Sequence, residues 1–419
     1  MPTLVSLSWK SLLNRKFTVL LTICAIALSV AMLLAVERVR SDARQSFTNT
    51  ISDTDLIVGA RSGAIQLLLY SVFHIGNATN NISWESYREI AGNPMVDWSV
   101  PISLGDSHRG HRVMGTTSGY FEHYRYARDR GLELASGRPF DGVFEAVVGA
   151  AVAQDLGYVP GDEIVVAHGA GNVSFVNHDD KPFTVSGVLK RTGTPVDRAV
   201  LVSLEGIEAI HVGWQAGTPP SEPVPAGEVL EMDLTPGEIT AFLLGLESRI
   251  GVFRLQRTIN EYKAEPLLAI IPGVALQQLW DLMGVAERAL LIISGFVVAI
   301  GLVGMLAMIL SGLNERRREM AILRSVGARP GHVFGLLLSE AVLLAVAGAA
   351  AGVGLLYLML FAGQPLIEDR FGLMLSIRML SLREFSMLGG VMIGALVMGM
   401  LPAYRAYRYS LTDGLNMKV

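Results

Sequence analysis

Asn314-Glu-Arg-Arg-Arg-Glu-Met-Ala-Ile-Leu-Arg-Ser-Val-Gly-Ala-Arg329 joins two apolar stretches, residues 289–313 before it and 333–361 after it. Each exceeds the roughly 20 residues that a helix rising about 1.5 Å per residue needs to cross the hydrocarbon of a bilayer. The connector sets Arg316, Arg317, Arg318, Arg324 and Arg329 against Glu315 and Glu319. A short loop with that cationic excess stays on the cytoplasmic side of a membrane. It also holds Met320, Ile322, Leu323 and Val326 at helical spacing, closed by Gly327 as a C-cap residue. Residues 314–332 therefore read as a short amphipathic cytoplasmic helix held between two spans, a shape suited to docking.

Composition places the whole chain in a membrane class. Its 419 residues are 51% hydrophobic and only 17% charged, and the mean hydropathy is +0.43, outside the range of ordinary soluble domains. Four segments qualify as spans: 17–36, 289–313, 333–361 and 385–401. The first has an apolar core longer than the roughly 7–15 residues of a signal-peptide h-region. It is followed by Glu37-Arg-Val-Arg40 rather than by a small-residue cleavage site. The only cysteine, Cys24, lies inside that span, which excludes an internal disulfide.

Flanking charge sets the orientation. Lys10, Arg15 and Lys16 precede the first span, in an amphipathic segment 1–16, and Arg405, Arg408 and Lys418 dominate the tail, 402–419. Both ends are expected inside. Residues 37–286 carry 19 lysines and arginines against 30 acidic residues and are expected outside, together with the short loop 362–384.

The expected fold class is an α-helical membrane protein with four transmembrane helices and a large α+β periplasmic domain between the first and second. That domain is long enough for two compact subdomains. Residues 54–59, 146–150, 163–167, 183–189 and 199–203 read as strands, and 151–156 as a helical turn. Residues 212–228, rich in Gly and Pro, read as a loop or flap. Residues 235–250, and those from 275 to the membrane, read as helical. Helices continuing out of the first two spans, over 36–47 and 275–290, would form a stalk.

Several of these motifs together carry a resemblance. Asn314-Glu-Arg-Arg-Arg-Glu-Met-Ala-Ile-Leu-Arg-Ser-Val-Gly-Ala328, with Leu338-Ser-Glu-Ala-Val342 and Gly348-Ala-Ala-Ala-Gly-Val-Gly354, resembles the FtsX-like permease domain of the MacB, LolC/LolE and FtsX group of ABC transporters. Pro402-Ala-Tyr-Arg-Ala-Tyr-Arg408 is similar to the run that closes the last span in that family. Gly137-Arg-Pro-Phe140, Val148-Gly-Ala150, Gly161-Asp162 and Val185-Ser-Gly-Val-Leu189 resemble the MacB-type periplasmic domain.

The resemblance implies a type VII permease in the bacterial inner membrane, moved by a separate ABC ATPase and threading no substrate through its spans. The sequence agrees, because it contains no Gly-Lys pair and hence no Walker A phosphate cradle. No cofactor is expected in this chain; ATP and Mg2+ belong to the partner ATPase. The docking residues would be Arg316, Arg317, Arg318, Glu319, Met320, Ile322, Leu323, Arg324 and Gly327, arginines on an acidic rim and apolar side chains in a groove. The competing reading is that these arginines only enforce topology and touch anionic lipid; the motif favours docking.

Other candidates carry less. Glu340 is an intramembrane carboxylate, read as a packing group bonded to a hydroxyl such as Ser311 or to the loop, with a proton or ion site as the sharper alternative. Gly348, Gly352, Gly354, Gly390, Gly394 and Gly399 permit close helix approach. His108-x-x-His111 with Asp106, and His178-Asp-Asp180, have weak metal-ligand spacing, and no metal site is assigned. The apolar run from Ile65 to Phe73 reads as core or as a groove for an amphiphilic cargo. No arrangement of catalytic groups stands out, so the chain is not expected to be an enzyme.

The expected partners are the ATPase, a second permease (itself or a homologue), a periplasmic adaptor or lipoprotein, and the lipid bilayer, with no nucleic acid. The expected function is export or extraction of a lipoprotein, lipid or amphiphilic small molecule. The alternative is a non-transporting permease that activates a periplasmic partner such as a cell-wall hydrolase.

Overall fold

The computed structural model describes residues 15–127, 129–169, 176–214, 224–315, 327–371 and 377–412. Contacts divide the chain into a helical unit (Met1–Asp42, Gly284–Leu366 and Leu375–Val419) and a sheet unit (Ala43–Met283 with Ile367–Met374). Six helices carry the description: α1 (Lys16–Thr50), α2 (Ala64–Val72), α3 (Leu204–His211), α4 (Pro272–Glu315), α5 (Pro330–Phe371) and α6 (Leu382–Thr412).

In the helical unit, α1, α4, α5 and α6 are each long and apolar enough to cross a membrane. All four extend beyond the expected spans. Residues 36–47 are one piece with the first apolar stretch, and 275–290 with the second. The sequence permits this, since neither segment contains proline and only Gly284 interrupts them with a weak helix former. Pro402, just past the last expected span, does not end its helix. α6 continues through it to Thr412, as helices can where neighbouring groups take up the freed backbone positions.

Small residues set the helix contacts. A Cβ at Gly352 of α5 would come 2.8 Å from the Ala27 carbonyl oxygen of α1, and one at Gly348 would come 2.5 Å from Ile26 Cγ2. Gly399 of α6 faces Ala341 of α5, and Gly394 faces Leu302 of α4, whereas Gly354 and Gly390 face open space. Ser29 Oγ of α1 donates to its own Ala25 carbonyl at 2.8 Å and to Val297 of α4 at 3.1 Å. Lipid supplies no hydrophobic drive between helices, so close approach and hydrogen bonds of this kind must fix their order.

In the sheet unit nine strands form the main path: β1 (Leu56–Ala60), β2 (Val96–His108), β3 (His111–Thr116), β4 (Leu134–Gly137), β5 (Glu145–Val148), β6 (Phe183–Leu189), β7 (Ala199–Ser203), β8 (Ala241–Leu246) and β9 (Leu267–Ile270). Their order is β9-β1-β8-β2-β3-β7-β5-β6-β4 within one twelve-stranded sheet. The pairs β3–β7 and β5–β6 are parallel and the other neighbours antiparallel. A single mixed sheet thus runs through this segment.

β6 and β7 match the expected strands; β1 and β5 are displaced by one or two residues. The expected strand 163–167 is two short ones, Glu163–Ile164 and Ala167–His168. The helix expected over 235–250 is wrong, because the structure has strand Glu238–Ile239, β8 and a 3₁₀ turn at Arg249–Gly251. β8 is buried at every position, since β1 and β2 flank it and apolar side chains cover both faces. Its unbroken run Ala-Phe-Leu-Leu-Gly-Leu has no alternation to tell it from a buried helix. The run from Ile65 to Phe73 is core: Leu67, Leu68, Tyr70, Val72 and Phe73 are buried together with Val100, Ile102 and Phe140.

Candidate coupling and ligand sites

Of the expected docking residues, Arg316, Arg317, Arg318, Glu319, Met320, Ile322, Leu323 and Arg324 lie outside the described residues. Gly327 is described and adopts φ +95°, the left-handed conformation that glycine takes at a helix C-terminus without a Cβ clash. Three residues on, Pro330 opens α5, and the Arg329 amide donates to His332 Nδ1 at 3.0 Å. On the other side of the loop, Arg15 Nη2 donates to the Gly312 carbonyl of α4 at 3.4 Å. The basic flank of α1 therefore meets the last turn before the loop. Glu340 is buried in α5. Ser311, its expected hydroxyl partner, donates instead to Met308 of its own helix at 3.0 Å.

A polar collar joins three helices at the far end of the helical unit. Arg38 of α1 and Glu384 of α6 are 0% and 1% exposed. They pair through Nε–Oε1 at 2.8 Å and Nη2–Oε2 at 3.3 Å, while Arg38 Nη1 donates to the Arg378 carbonyl at 3.1 Å. Glu384 also occupies the N3 position of a capping box. The Ser381 amide donates to its carboxylate at 2.6 Å, and the Glu384 amide donates back to Ser381 Oγ at 3.3 Å. One carboxylate thus caps α6 and ties it to α1. Around this pair, Glu37 holds Arg40 at 2.8 Å and Arg383 at 3.2 Å, Arg40 reaches Glu287 of α4 at 3.2 Å, and Arg378 reaches Asp42 at 3.2 Å. A bidentate guanidinium–carboxylate pair fixes direction as well as distance.

Where α1 and α4 run on into the sheet unit, Phe47 packs edge-on against Trp280 at 5.5 Å, and the Arg44 guanidinium lies over the same indole at 5.3 Å. Phe47 also meets Phe73, at the end of α2, at 4.5 Å. The two expected stalk segments are therefore in side-chain contact and anchored in the core.

The histidines group differently from their sequence spacing. His108 and His111 face each other across a two-residue hairpin turn, Arg109-Gly110, with φ of +46° and +88°. Both His108 nitrogens are engaged, Nδ1 with the Val165 carbonyl at 2.6 Å and Nε2 with Tyr158 Oη at 2.9 Å. His111 lies 3.9 Å from Asp155, and Asp180 pairs with Lys181.

Asp106 and His178 instead meet His168 and His211, which spacing had not singled out. Asp106 sits where the β2–β3 register shifts, directly opposite His168 of the short strand Ala167–His168. Its Oδ1 is 3.0 Å from His168 Nδ1 and 3.8 Å from His211 Nε2. The His178 and His211 rings are 5.0 Å apart, and Trp214 packs on all three imidazoles. The Asp106 hydrogen bond raises the pKa of His168. Burial first, and His211 second, push that of His178 down to about 4.

A profile of the MacB-like periplasmic core domain matches residues 19–224, and one of the FtsX-like permease C-terminal domain matches 291–411. The chain belongs to the FtsX/MacB type of ABC-transporter permease. The macrolide export ATP-binding/permease protein MacB of Chromobacterium violaceum is 41% identical over 76 residues, 17% of this permease and 12% of that protein, so the chain spans only a small part of this curated relative. The periplasmic region of MacB from Actinobacillus actinomycetemcomitans aligns at 12% identity and a TM-score of 0.32, covering 55% of this permease and 94% of that structure. The extracellular domain of the noncanonic ABC-type transporter YknZ from Gram-positive bacteria aligns at 15% and 0.29, covering 52% and 99%.

The two profiles place a MacB-like periplasmic core domain and an FtsX-like permease domain on this permease, whose described residues include four helices apolar enough to cross a membrane. Sequence reasoning missed its collar. Ser381-x-x-Glu384 was readable as a capping box, but nothing local linked it to Arg38.

Proposed function

We propose that this permease is the membrane subunit of an ABC transporter in the bacterial inner membrane, with its sheet unit in the periplasm, that converts ATP hydrolysis in a separate ATPase into movement of that unit. The cargo would be a lipoprotein, a lipid or an amphiphilic small molecule. The observation that carries the reading is the continuity of α1 and α4, which are 35 and 44 residues long. At ~1.5 Å per residue both greatly exceed the ~30 Å of bilayer hydrocarbon. Each leads from the basic cytoplasmic flank to the aromatic contact around Trp280. A displacement at the loop then has two unbroken helices along which to travel, and the collar holds α6 to one of them.

The ATPase would engage the loop 314–332, arginines 316–318 on an acidic rim and Met320, Ile322 and Leu323 in an apolar groove. The MacB relative is named as an ATP-binding/permease protein. The given sequence contains no Gly-Lys pair, which supports the reading that ATP and Mg2+ would be bound by the partner.

Charge reversal at Arg317 and Arg318, or Leu323→Asp, should leave the protein inserted and folded yet abolish co-purification of the ATPase, because an apolar anchor in a groove carries a few kcal/mol of binding. Full recovery of the ATPase with these variants would reduce the arginines to topology determinants.

A further inference from the structure

We infer that Asp106, His168, His178 and His211 form a binding site for a divalent first-row transition metal of the Zn2+ type, in a part of the sheet unit that the coupling mechanism does not use. Asp106, His168 and His211 offer ligand atoms that all lie within 4.8 Å of one another, and the His178 ring stands 5.0 Å from that of His211. Nε2 of His178 and Nε2 of His211 are buried and have no hydrogen-bond partner. Buried polar atoms are nearly always satisfied, so two unsatisfied imidazole nitrogens in one pocket call for a ligand.

The tautomer of His211 is set by its surroundings. Its Nδ1 donates to the Ile207 carbonyl at 2.8 Å, one turn back on α3, which leaves the Nε2 lone pair facing Asp106. Metal-binding histidines are commonly oriented in this way, by a carbonyl on the other ring nitrogen. Asp106 is itself buried. It supplies the carboxylate oxygen of the group.

The donor set selects the ion. Three nitrogens and one oxygen suit Zn2+ and its neighbours, whereas Mg2+ and Ca2+ prefer all-oxygen shells. In a four-coordinate zinc site with bonds of ~2.0–2.1 Å, neighbouring ligand atoms stand about 3.3 Å apart. The observed 3.0 and 3.8 Å separations from Asp106 bracket that spacing. On binding, the proton between His168 and Asp106 would leave to solvent and both atoms would turn to the ion. Such an ion would link three separate pieces of chain: the register shift of β2, the strand pair Ala167–His168 and Val176–Asn177 that precedes His178, and the C-terminal end of α3.

The test uses the full-length protein in detergent, purified through a tag without histidines, stripped with a chelator and titrated with Zn2+ against a chromophoric competitor. One equivalent should bind with a Kd below about 1 µM, and excess Mg2+ or Ca2+ should not displace it. Co2+ should give the visible band of a four-coordinate site and quench Trp214. His178→Ala and the near-isosteric His211→Gln should each weaken Zn2+ binding at least about tenfold with unchanged circular dichroism. His108→Ala, whose nitrogens are already engaged, should not. Absence of stoichiometric Zn2+ would overturn the site, as would equal binding by the folded His211→Gln variant or displacement by Ca2+. Association with the ATPase is not read in this assay, so its outcome is independent of the transport reading.

Discussion

The sheet unit and the helical unit treat their apolar residues in opposite ways. Strands β1, β7 and β8 are buried at every position, whereas the most apolar stretches of the four long helices are only 22% to 39% buried. Phe17, Phe296, Leu358 and Phe361 stand exposed on those helices. In the sheet, apolar side chains find one another, and burial itself fixes the register. In the helices they face a lipid solvent that rewards outward and inward positions alike. Order in the helical unit therefore has to come from its exceptions, the glycine contacts and the buried ion pair, and breaking those should cost more than their number suggests.

The collar should show the largest effect. Arg38→Ala or Glu384→Ala leaves one buried charge without its partner and should lower stability by about 3–5 kcal/mol, read as thermal unfolding of the purified protein in detergent. The double variant Arg38→Met/Glu384→Leu should recover most of the loss, because it removes both desolvated charges together. Single variants as stable as the parent would mean that the pair does not hold α1 to α6.

Next come the glycines, where two neighbours predict different outcomes. Gly352→Leu drives a side chain into Ala27 and Val30 of α1 and should cost about 1–3 kcal/mol. Gly354→Leu faces open space and should stay within about 0.5 kcal/mol of the parent. Equal effects would remove the α1–α5 contact as the explanation.

The sheet has a comparable position. Gly245 of β8 lies opposite Trp98 of β2, and a Cβ there would overlap the indole, which is stacked on His123 at 4.8 Å. Gly245→Val should cost about 1–3 kcal/mol, and much less in a Trp98→Ala background, since touching residues are non-additive.

The smallest effect concerns pH. Burial, assisted by Arg112, lowers the pKa of His74 to about 4, against about 6.5 in an unfolded chain. The unfolded state therefore takes up the proton first. The stability contributed by neutral His74 is fully present above about pH 6.5 and falls as pH drops towards 4, by on the order of 1 kcal/mol one unit below the unfolded value. His74→Gln should flatten that slope in unfolding midpoints measured across the window. An unchanged slope would assign it to other groups.

What could be read from the sequence follows the same contrast. The four long helices were legible because lipid-facing segments announce themselves by composition alone, without reference to any partner. β6 and β7 were legible from short β-branched runs bounded by turn residues. β8 was not, because full burial erases the alternation that marks a strand. Ile65–Phe73 left groove and core open until its neighbours were known. The collar depends on Arg38 and Glu384, 346 positions apart. The histidine cluster depends on a cross-strand register that places His168 opposite Asp106, while the eye-catching His108-x-x-His111 spacing is the signature of a hairpin turn.

The central claim is that α1 and α4 carry motion from the ATPase to the sheet unit. It is tested most directly by inserting three glycines after Arg44, each costing a helix about 1 kcal/mol. In a Cys24→Ser background, Asp129→Cys reports on the exposed surface of the sheet unit. The reconstituted ATPase complex should show an ATP-dependent change in the labelling rate of that cysteine. With the glycines in place, ATP hydrolysis should persist and the change should vanish. An ATP-dependent change that survives the insertion would show that the helices are loose tethers and would contradict the account.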